Sequence, residues 1–370
     1  SSTPLAQALI EGITSAGVNV TDIGVVSTDV TYFAVAKYGY DGSVAVTASH
    51  NPAEYNGFKV CREHAMPVGL ETGLAKIRDI AMRPPLATAE RPGRVTKKDI
   101  MKEYKEHVHS FIRQIRAMRI VVDAGNGMAG KMVPIIFKGL PIEIIPLYFE
   151  LDGSFPNHEA NPLKLENLRH LQELVREEKA QLGVAFDGDA DRVAFVDEKG
   201  EAIGSDIITA LIAREFLGED KGATVVYDLR SSWAVKEEIV RNGGVPCREK
   251  VGHAFIKATM RERNAVFGGE LSGHYYFRDN FYADSGMIAF IEILNILGRK
   301  RVSMSNLVAP LKKYFSSGEI NFTVEDKDAK IDELARSFSD GKVDRLDGVT
   351  VEYRDWWFNV RKSNTEPRLR

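Results

Sequence analysis

The chain has 370 residues, too many for one hydrophobic core, and at roughly 150 residues per domain it should divide into two to four domains. Apolar residues make up 44% and charged residues 27%, an ordinary globular composition that excludes collagen, coiled coil and a long disordered tail. With a net charge of −3 there is no basic footprint for nucleic acid or anionic membrane, and no apolar run approaches the roughly 20 residues of a bilayer span. Small-molecule partners are expected, with no nucleic acid and no membrane. Two cysteines, Cys61 and Cys247, suit a reducing compartment, so the reading is cytoplasmic.

The chain opens on a helix start, with Ser2 or Thr3 as N-cap, Pro4 in the first turn and Leu5, Leu9 and Ile13 following. It begins with Ser1 rather than Met and stops at Arg370 just after a Pro- and Arg-containing loop, so both ends are expected to be cut. Three times an apolar strand runs into a polar or Gly-rich turn and then a helix. The strands are residues 43–46 before Thr47-Ala48-Ser49-His50-Asn51-Pro52, residues 119–122 before Asp123-Ala124-Gly125-Asn126-Gly127, and residues 223–227 before Asp228-Leu229-Arg230-Ser231-Ser232. This α/β pattern predicts three similar α/β domains, with ligands beyond the carboxyl ends of the strands. Residues 83–94, rich in proline, predict a surface loop, and a turn at 200–206 precedes a helix over 206–217. Beyond Leu311 the pattern changes. Ser316-Ser317-Gly318 breaks the chain, 319–324 alternates as a strand and 330–338 reads as a helix, which predicts a smaller α+β C-terminal domain. The expected domains are 1–98, 99–202, 203–312 and 313–370, the first lacking its N-terminus and the last its C-terminus.

Asp187-Gly188-Asp189-Ala190-Asp191-Arg192 lies between two apolar strands, 182–186 and 193–196. Three carboxylates at alternating positions of one turn repel unless a cation offsets them. An EF-hand would need glycine at the sixth position, where Arg192 stands, and helices rather than strands on either side. A solvated acidic turn is the plain alternative; a catalytic divalent metal, Mg2+ completed by a phosphate oxygen, is the reading preferred. Ser49 has His50 beside it and Lys59 ten residues on, yet Ser49 and Asn51 equally suit a turn that bonds its own backbone. In Gly268-Gly269-Glu270-Leu271-Ser272-Gly273-His274, Glu270 can accept from two vicinal sugar hydroxyls, or the loop is structural. Arg361, Ser363, Asn364, Thr365 and Arg370 form a donor-rich loop suited to a phosphate dianion, or a merely basic surface.

Thr-Ala-Ser-His-Asn-Pro with Tyr55-Asn56-Gly57-Phe58-Lys59, then Asp-Gly-Asp-Ala-Asp-Arg, Gly-Glu-Leu-Ser-Gly-His, and Arg361-Lys362-Ser363-Asn364-Thr365-Glu366-Pro367 resemble, in order, the four motifs of the α-D-phosphohexomutase family. The resemblance covers essentially the whole chain and is nearest the bacterial phosphomannomutase/phosphoglucomutase branch. It implies four domains around a central cleft, the first three alike, although the family's Ala-Tyr-Asp-Ile-Arg-Gly-like opening is absent here. It implies that Ser49 is the phosphoserine and, with Asp187, Asp189 and Asp191, a ligand of Mg2+. Arg192 would neutralise charge beside that loop, with Lys59 and His274 moving the hydroxyl proton and His50 counted among the catalytic residues. Glu270 and Ser272 would read the sugar 3- and 4-hydroxyls. Arg230, Lys250 and His253 would line the cleft, and the loop of Arg361, Ser363, Asn364, Thr365 and Arg370 would hold the phosphate that is not reacting. The implied activity interconverts hexose 6-phosphate and hexose 1-phosphate through a hexose 1,6-bisphosphate, which also serves as activator. A hexosamine-phosphate mutase and a metal-dependent sugar phosphatase are the alternatives.

Overall fold

The computed structural model describes residues 2–52, 54–83, 88–363 and 368–370. The first unit carries the short strands β1 (Val20–Asp22), β2 (Gly42–Val46), β3 (Phe58–Arg62), β4 (Met66–Pro67) and β5 (Val95–Lys97). β1 and β5 form a parallel pair, while β2, β3 and β4 form an antiparallel meander. The second unit contains β6 (Met118–Asp123), β7 (Ile142–Leu147), β8 (Leu182–Phe186), β9 (Val193–Asp197) and β10 (Ala202–Ile203) in the order β7-β6-β8-β9-β10. Its first three strands are parallel and its last two run antiparallel. The third unit repeats that plan strand for strand, with β11 (Thr224–Asp228), β12 (Val245–Glu249), β13 (Phe267–Gly269), β14 (Tyr275–Phe277) and β15 (Ala283–Asp284) in the order β12-β11-β13-β14-β15. The fourth is an antiparallel sheet of β16 (Lys342–Asp344), β17 (Val349–Glu352) and β18 (Trp357–Val360), packed by the helix Lys327–Ser337.

The strands β8 and β9 are buried at every position, so their apolar residues run without alternation, as both faces of the sheet are covered. The helix Gly286–Lys300 is buried through thirteen successive residues, Gly286 to Gly298, so its sequence lacks the single apolar stripe of a surface helix. At its end a Cβ on Gly298 would meet the carbonyl oxygen of Gln114 at 2.0 Å, and glycine there lets the second and third units close together. Contrary to the expectation from length, one continuous apolar core runs through the first three units, from Val30 and Phe33 through Val122 and Phe186 to Phe267 and Phe290. The fourth unit has its own core around Ile331, Val349, Val351 and Leu369.

Three expectations are corrected. The turn after residues 43–46 leads into the strand β3, not a helix, because β2 and β3 pair as a hairpin with Val46 opposite Phe58. The first repeat was therefore read out of register: β2 matches β8 and β13, the third strands of their units, rather than β6 and β11. Residues 319–324 form no strand; a single bridge joins Phe322 to Leu369, and one bridged residue does not make a ladder. A domain boundary after residue 202 would cut β10, whose Ala202 and Ile203 pair with Val196 and Phe195, so the second unit extends through Ile203. No helix among the described residues is long and apolar enough to cross a membrane.

Candidate active site

The corrected register explains how the site assembles. The turns between β2 and β3, between β8 and β9, and between β13 and β14 occupy the same place in three related sheets, and they converge. Between the first two turns the approach is backbone to backbone. A Cβ on Gly188 would lie 2.3 Å from the Ser49 carbonyl oxygen, so the residue between the first two aspartates of the acidic turn has to be glycine. The Gly-rich turn after β6 supports it from behind, with the Met128 amide donating to the Gly188 carbonyl at 2.9 Å.

Ser49 sits in the left-handed region with φ 55°, a conformation unusual for a residue with a side chain and one that stores strain at this turn. Its amide donates to Thr47 Oγ1 at 2.8 Å, and Thr47 Oγ1 donates to Asp189 Oδ2 at 3.1 Å. Its own hydroxyl donates to Asp187 Oδ2 at 2.9 Å. The same backbone twist brings His50 onto the side of Ser49, with Nδ1 3.2 Å from Oγ, although neighbours on an extended strand would point apart. Burial in the cleft and the nearby Arg192 charge lower the His50 imidazole to about 4, so at neutral pH it is uncharged and able to accept the Ser49 proton.

Asp187, Asp189 and Asp191 are 0%, 5% and 1% exposed, and one oxygen of each lies within 4.8 Å of the others. Burial, then repulsion from Asp189 and Asp191, holds the Asp187 carboxyl well above the usual range. Burial also raises Asp191, but Lys59 and His274 outweigh it and hold that carboxyl well below. Lys59 Nζ reaches Asp189 Oδ2 at 2.6 Å and also pairs with Asp191. Thr28 Oγ1 donates to Asp189 Oδ2 at 2.7 Å, while buried Asp189 Oδ1 has no hydrogen-bond partner among the described residues. Hard oxygens, buried and crowded, with Asp189 Oδ1 and Asp191 Oδ1 both lacking a hydrogen bond among the described residues, fit a divalent cation, and these residues pass that test. Although burial lowers the proton affinity of Lys59, the carboxylates around it raise that affinity more, so it stands beside them as an ammonium.

The third turn completes the wall. Val193, at the start of β9, donates its amide to the Gly273 carbonyl at 3.1 Å, which fastens the turn carrying Glu270 to the acidic turn. His274 Nε2 lies 3.4 Å from Asp191 Oδ1, its Nδ1 lies 2.9 Å from Ser272 Oγ, and Tyr276 OH donates to Glu270 Oε2 at 2.8 Å. Arg230 is gripped by Asp228 at 2.8 Å and faces Glu270 Oε1 at 3.5 Å. Arg192 Nη1 is 3.5 Å from His50 Nε2, and its Nε is 3.7 Å from Asp187 Oδ2. The His253 ring lies over that of His274 with centroids 6.5 Å apart. Lys250 turns its ammonium toward the Phe255 ring, 5.6 Å away, and is not drawn into the carboxylate cluster. Arg361 is only 3% exposed; its amide and that of Arg370 exchange bonds with each other's carbonyls at 3.0 Å, and the Ser363 amide donates to the Arg368 carbonyl at 2.9 Å. Asn364 and Thr365 lie outside the described residues.

The sequence reading missed Thr28, Asp228, Tyr276 and Glu319, whose carboxylate lies 3.5 Å from Arg361 Nη2. Asp228 was the one with a signal, as the polar residue that closes an apolar strand.

Comparison with known proteins gives a consistent similarity. Residues 1–84, 101–200 and 204–314 match "Phosphoglucomutase/phosphomannomutase" alpha/beta/alpha domains I, II and III in turn. A phosphomannomutase of Vibrio cholerae is 41% identical over 377 aligned residues, which cover 99% of this chain and 81% of that one. One from Methanocaldococcus jannaschii is 38% identical, covering 94% of this chain and 78% of that one. A crystal structure of a phosphoglucomutase/phosphomannomutase family protein from Burkholderia thailandensis superposes with TM-score 0.88 at 36% identity, covering 99% of this chain and 80% of that one.

Proposed function

The chain belongs to the phosphoglucomutase/phosphomannomutase family and is a hexose phosphate mutase, and from that premise we propose that it moves a phosphoryl group between O1 and O6 of mannose or glucose through Ser49. The observation that carries the reading is the Ser49 hydroxyl, 2.9 Å from Asp187 Oδ2, with a neutral imidazole 3.2 Å away and three buried carboxylates beneath it. One fixed pose cannot present both ends of a hexose to the same group, so a relay is needed. Ser49, phosphorylated, gives its phosphoryl to the free hydroxyl of a hexose monophosphate. The Oγ–P bond breaks, the sugar O–P bond forms, and the hydroxyl proton passes to a neighbouring base. The resulting hexose 1,6-bisphosphate turns end for end and returns its other phosphoryl to Ser49.

Asp187, Asp189 and Asp191 would hold Mg2+, with a phosphoserine oxygen as a further ligand; when bound, the ion offsets charge on the transferring phosphoryl group. Lys59 and His274, with His50 beside Ser49, are the candidates for the moving proton. Arg192 is a fixed positive charge beside the phosphoryl path. Glu270 and Ser272 face the cleft as acceptors for sugar hydroxyls, and Arg361, Ser363, Asn364, Thr365 and Arg370 are assigned to the idle phosphate. Arg230 and His253 line the wall between these groups, and Lys250 is placed at its rim. We further propose the domains 1–98, 99–203, 204–312 and 313–370. A cytoplasmic location is proposed as well, supported by the two unpaired cysteines.

The test compares Ser49→Ala with the parent chain on mannose 1-phosphate and glucose 1-phosphate, following both hexose 6-phosphate and inorganic phosphate. The relay predicts loss of mutase activity in the variant and no phosphate release by the parent. Activity retained by Ser49→Ala would overturn the reading.

A further inference from the structure

The third and fourth units are joined by residues 312–321, which have no regular secondary structure and are mostly exposed. One side chain of this connector reaches inward. The Glu319 carboxylate lies 3.8 Å from Arg230 Nη1, 3.5 Å from Arg361 Nη2 and 3.2 Å from Arg370 Nη1. Arg230 belongs to the third unit and the other two to the fourth, so one carboxylate bridges both across the connector. Arg361 is 3% exposed, and Glu319 provides the one carboxylate within 4.0 Å of it among the described residues.

These separations exceed the roughly 2.7–2.9 Å of a good charge-assisted bond, so the carboxylate is shared among donors that it does not fill. Arg230 is also held by Asp228 and faces Glu270, so the charge that depends most on Glu319 is that of buried Arg361, on the side of the fourth unit. A dianion entering the cluster brings more oxygens than a carboxylate has and would repel Glu319. We propose that Glu319 is a built-in competitor for the phosphate site: it holds the three arginines together while the site is empty, and the substrate's idle phosphate displaces it. Glu319 is tethered closely enough to return. Three residues on, the Phe322 amide donates to the Leu369 carbonyl at 2.8 Å, beside Arg370. This inference rests on the reading of the Arg361–Arg370 loop as the idle-phosphate site.

The consequence is measurable. Glu319→Gln removes the competing charge while keeping the shape, and Glu319→Asp shortens the arm so that it no longer spans the arginines. In metal-free buffer at constant ionic strength, both variants should bind inorganic phosphate more tightly in a calorimetric titration, by about tenfold for Gln. The KM for hexose 1-phosphate should fall without a rise in kcat, because the hexose 6-phosphate product leaves less readily. A purely structural glutamate predicts a lower melting temperature with phosphate affinity unchanged or weakened, and that result would overturn the proposal. Arg361→Ala, made alone and with Glu319→Gln, separates the two levels. If Arg361→Ala leaves phosphate binding untouched, the phosphate reading of the loop fails. If it weakens binding but neither Glu319 variant strengthens it, only the role of Glu319 fails.

Discussion

Gly188 is the residue on which the closest contact depends. Its missing Cβ would sit 2.3 Å from the Ser49 carbonyl, and that oxygen belongs to backbone that cannot swing aside as a side chain would. Gly188→Ala should therefore push the serine turn away from the carboxylates. A displacement of about 1 Å at a reacting atom is enough to cost roughly a hundredfold in rate. Circular dichroism should remain that of the parent, since the clash is confined to two turns. Parent-like kcat in the alanine variant would show that the turns do not need this approach. At this scale much of the site was legible. Ser49, the three aspartates and the Glu270 turn are each contiguous in sequence, so their chemistry is visible in a few residues. Glu319 and Thr28 were not legible, because nothing local distinguishes a glutamate in an exposed connector or a threonine at a helix start. Their roles arise from partners more than forty residues distant.

At the scale of elements, the helix Gly286–Lys300 holds the assembly together, and it carries a carboxylate that should report on pH. Glu292 has no side-chain exposure and meets Arg113 Nη1, from the second unit, at 2.7 Å. Burial raises its carboxyl from 4.5 to about 7, even though Arg113 and Asn295 pull the other way. A carboxyl raised in the folded state binds its proton there after the unfolded chain has lost it, so its contribution to stability falls as pH rises between about 4.5 and 7 and is level above that. Glu292→Gln removes this slope. The stability of the parent relative to the variant should be greater at pH 4.5 than at pH 7.5, by about 2–3 kcal/mol in urea unfolding. An equal difference at both pH values would mean that Glu292 is ionised as an ordinary surface carboxylate.

The register error belongs to this scale too. An apolar strand followed by a polar turn looks the same whether the next element is a helix or a second strand, so residues 43–46 were matched to the wrong strand of the repeat. Pairing of Val46 with Phe58 settles it. With the match corrected, the three functional turns become one hairpin used three times.

Taken as a whole, the molecule joins three units by a shared core and attaches the fourth, with its own core, through an irregular connector. On the proposed relay, that arrangement would suit a cleft that retains a bisphosphate while it reorients, since the loop assigned to the idle phosphate is built on a core separate from the main one. Arg361→Ala should weaken this retention. The loss of charge-assisted bonds worth about 1.5–3 kcal/mol corresponds to roughly ten- to a hundredfold in apparent affinity. The bisphosphate would then escape more often, leaving dephosphorylated enzyme, and steady-state activity should come to depend on added hexose 1,6-bisphosphate. Unchanged KM with no activation by the bisphosphate would contradict the role assigned to this loop.

The central claim is that Ser49 gives its phosphoryl group to one end of the sugar and takes back the phosphoryl group from the other end. It is tested most directly by loading the chain with hexose 1,6-bisphosphate labelled in its phosphates and mapping the label by peptide mass spectrometry, before and after a chase with unlabelled hexose 1-phosphate. The account predicts label on the peptide containing Ser49, and its transfer during the chase into soluble hexose 1,6-bisphosphate and hexose 6-phosphate with no release of inorganic phosphate. Label on a different residue, or its appearance as free phosphate, would contradict it.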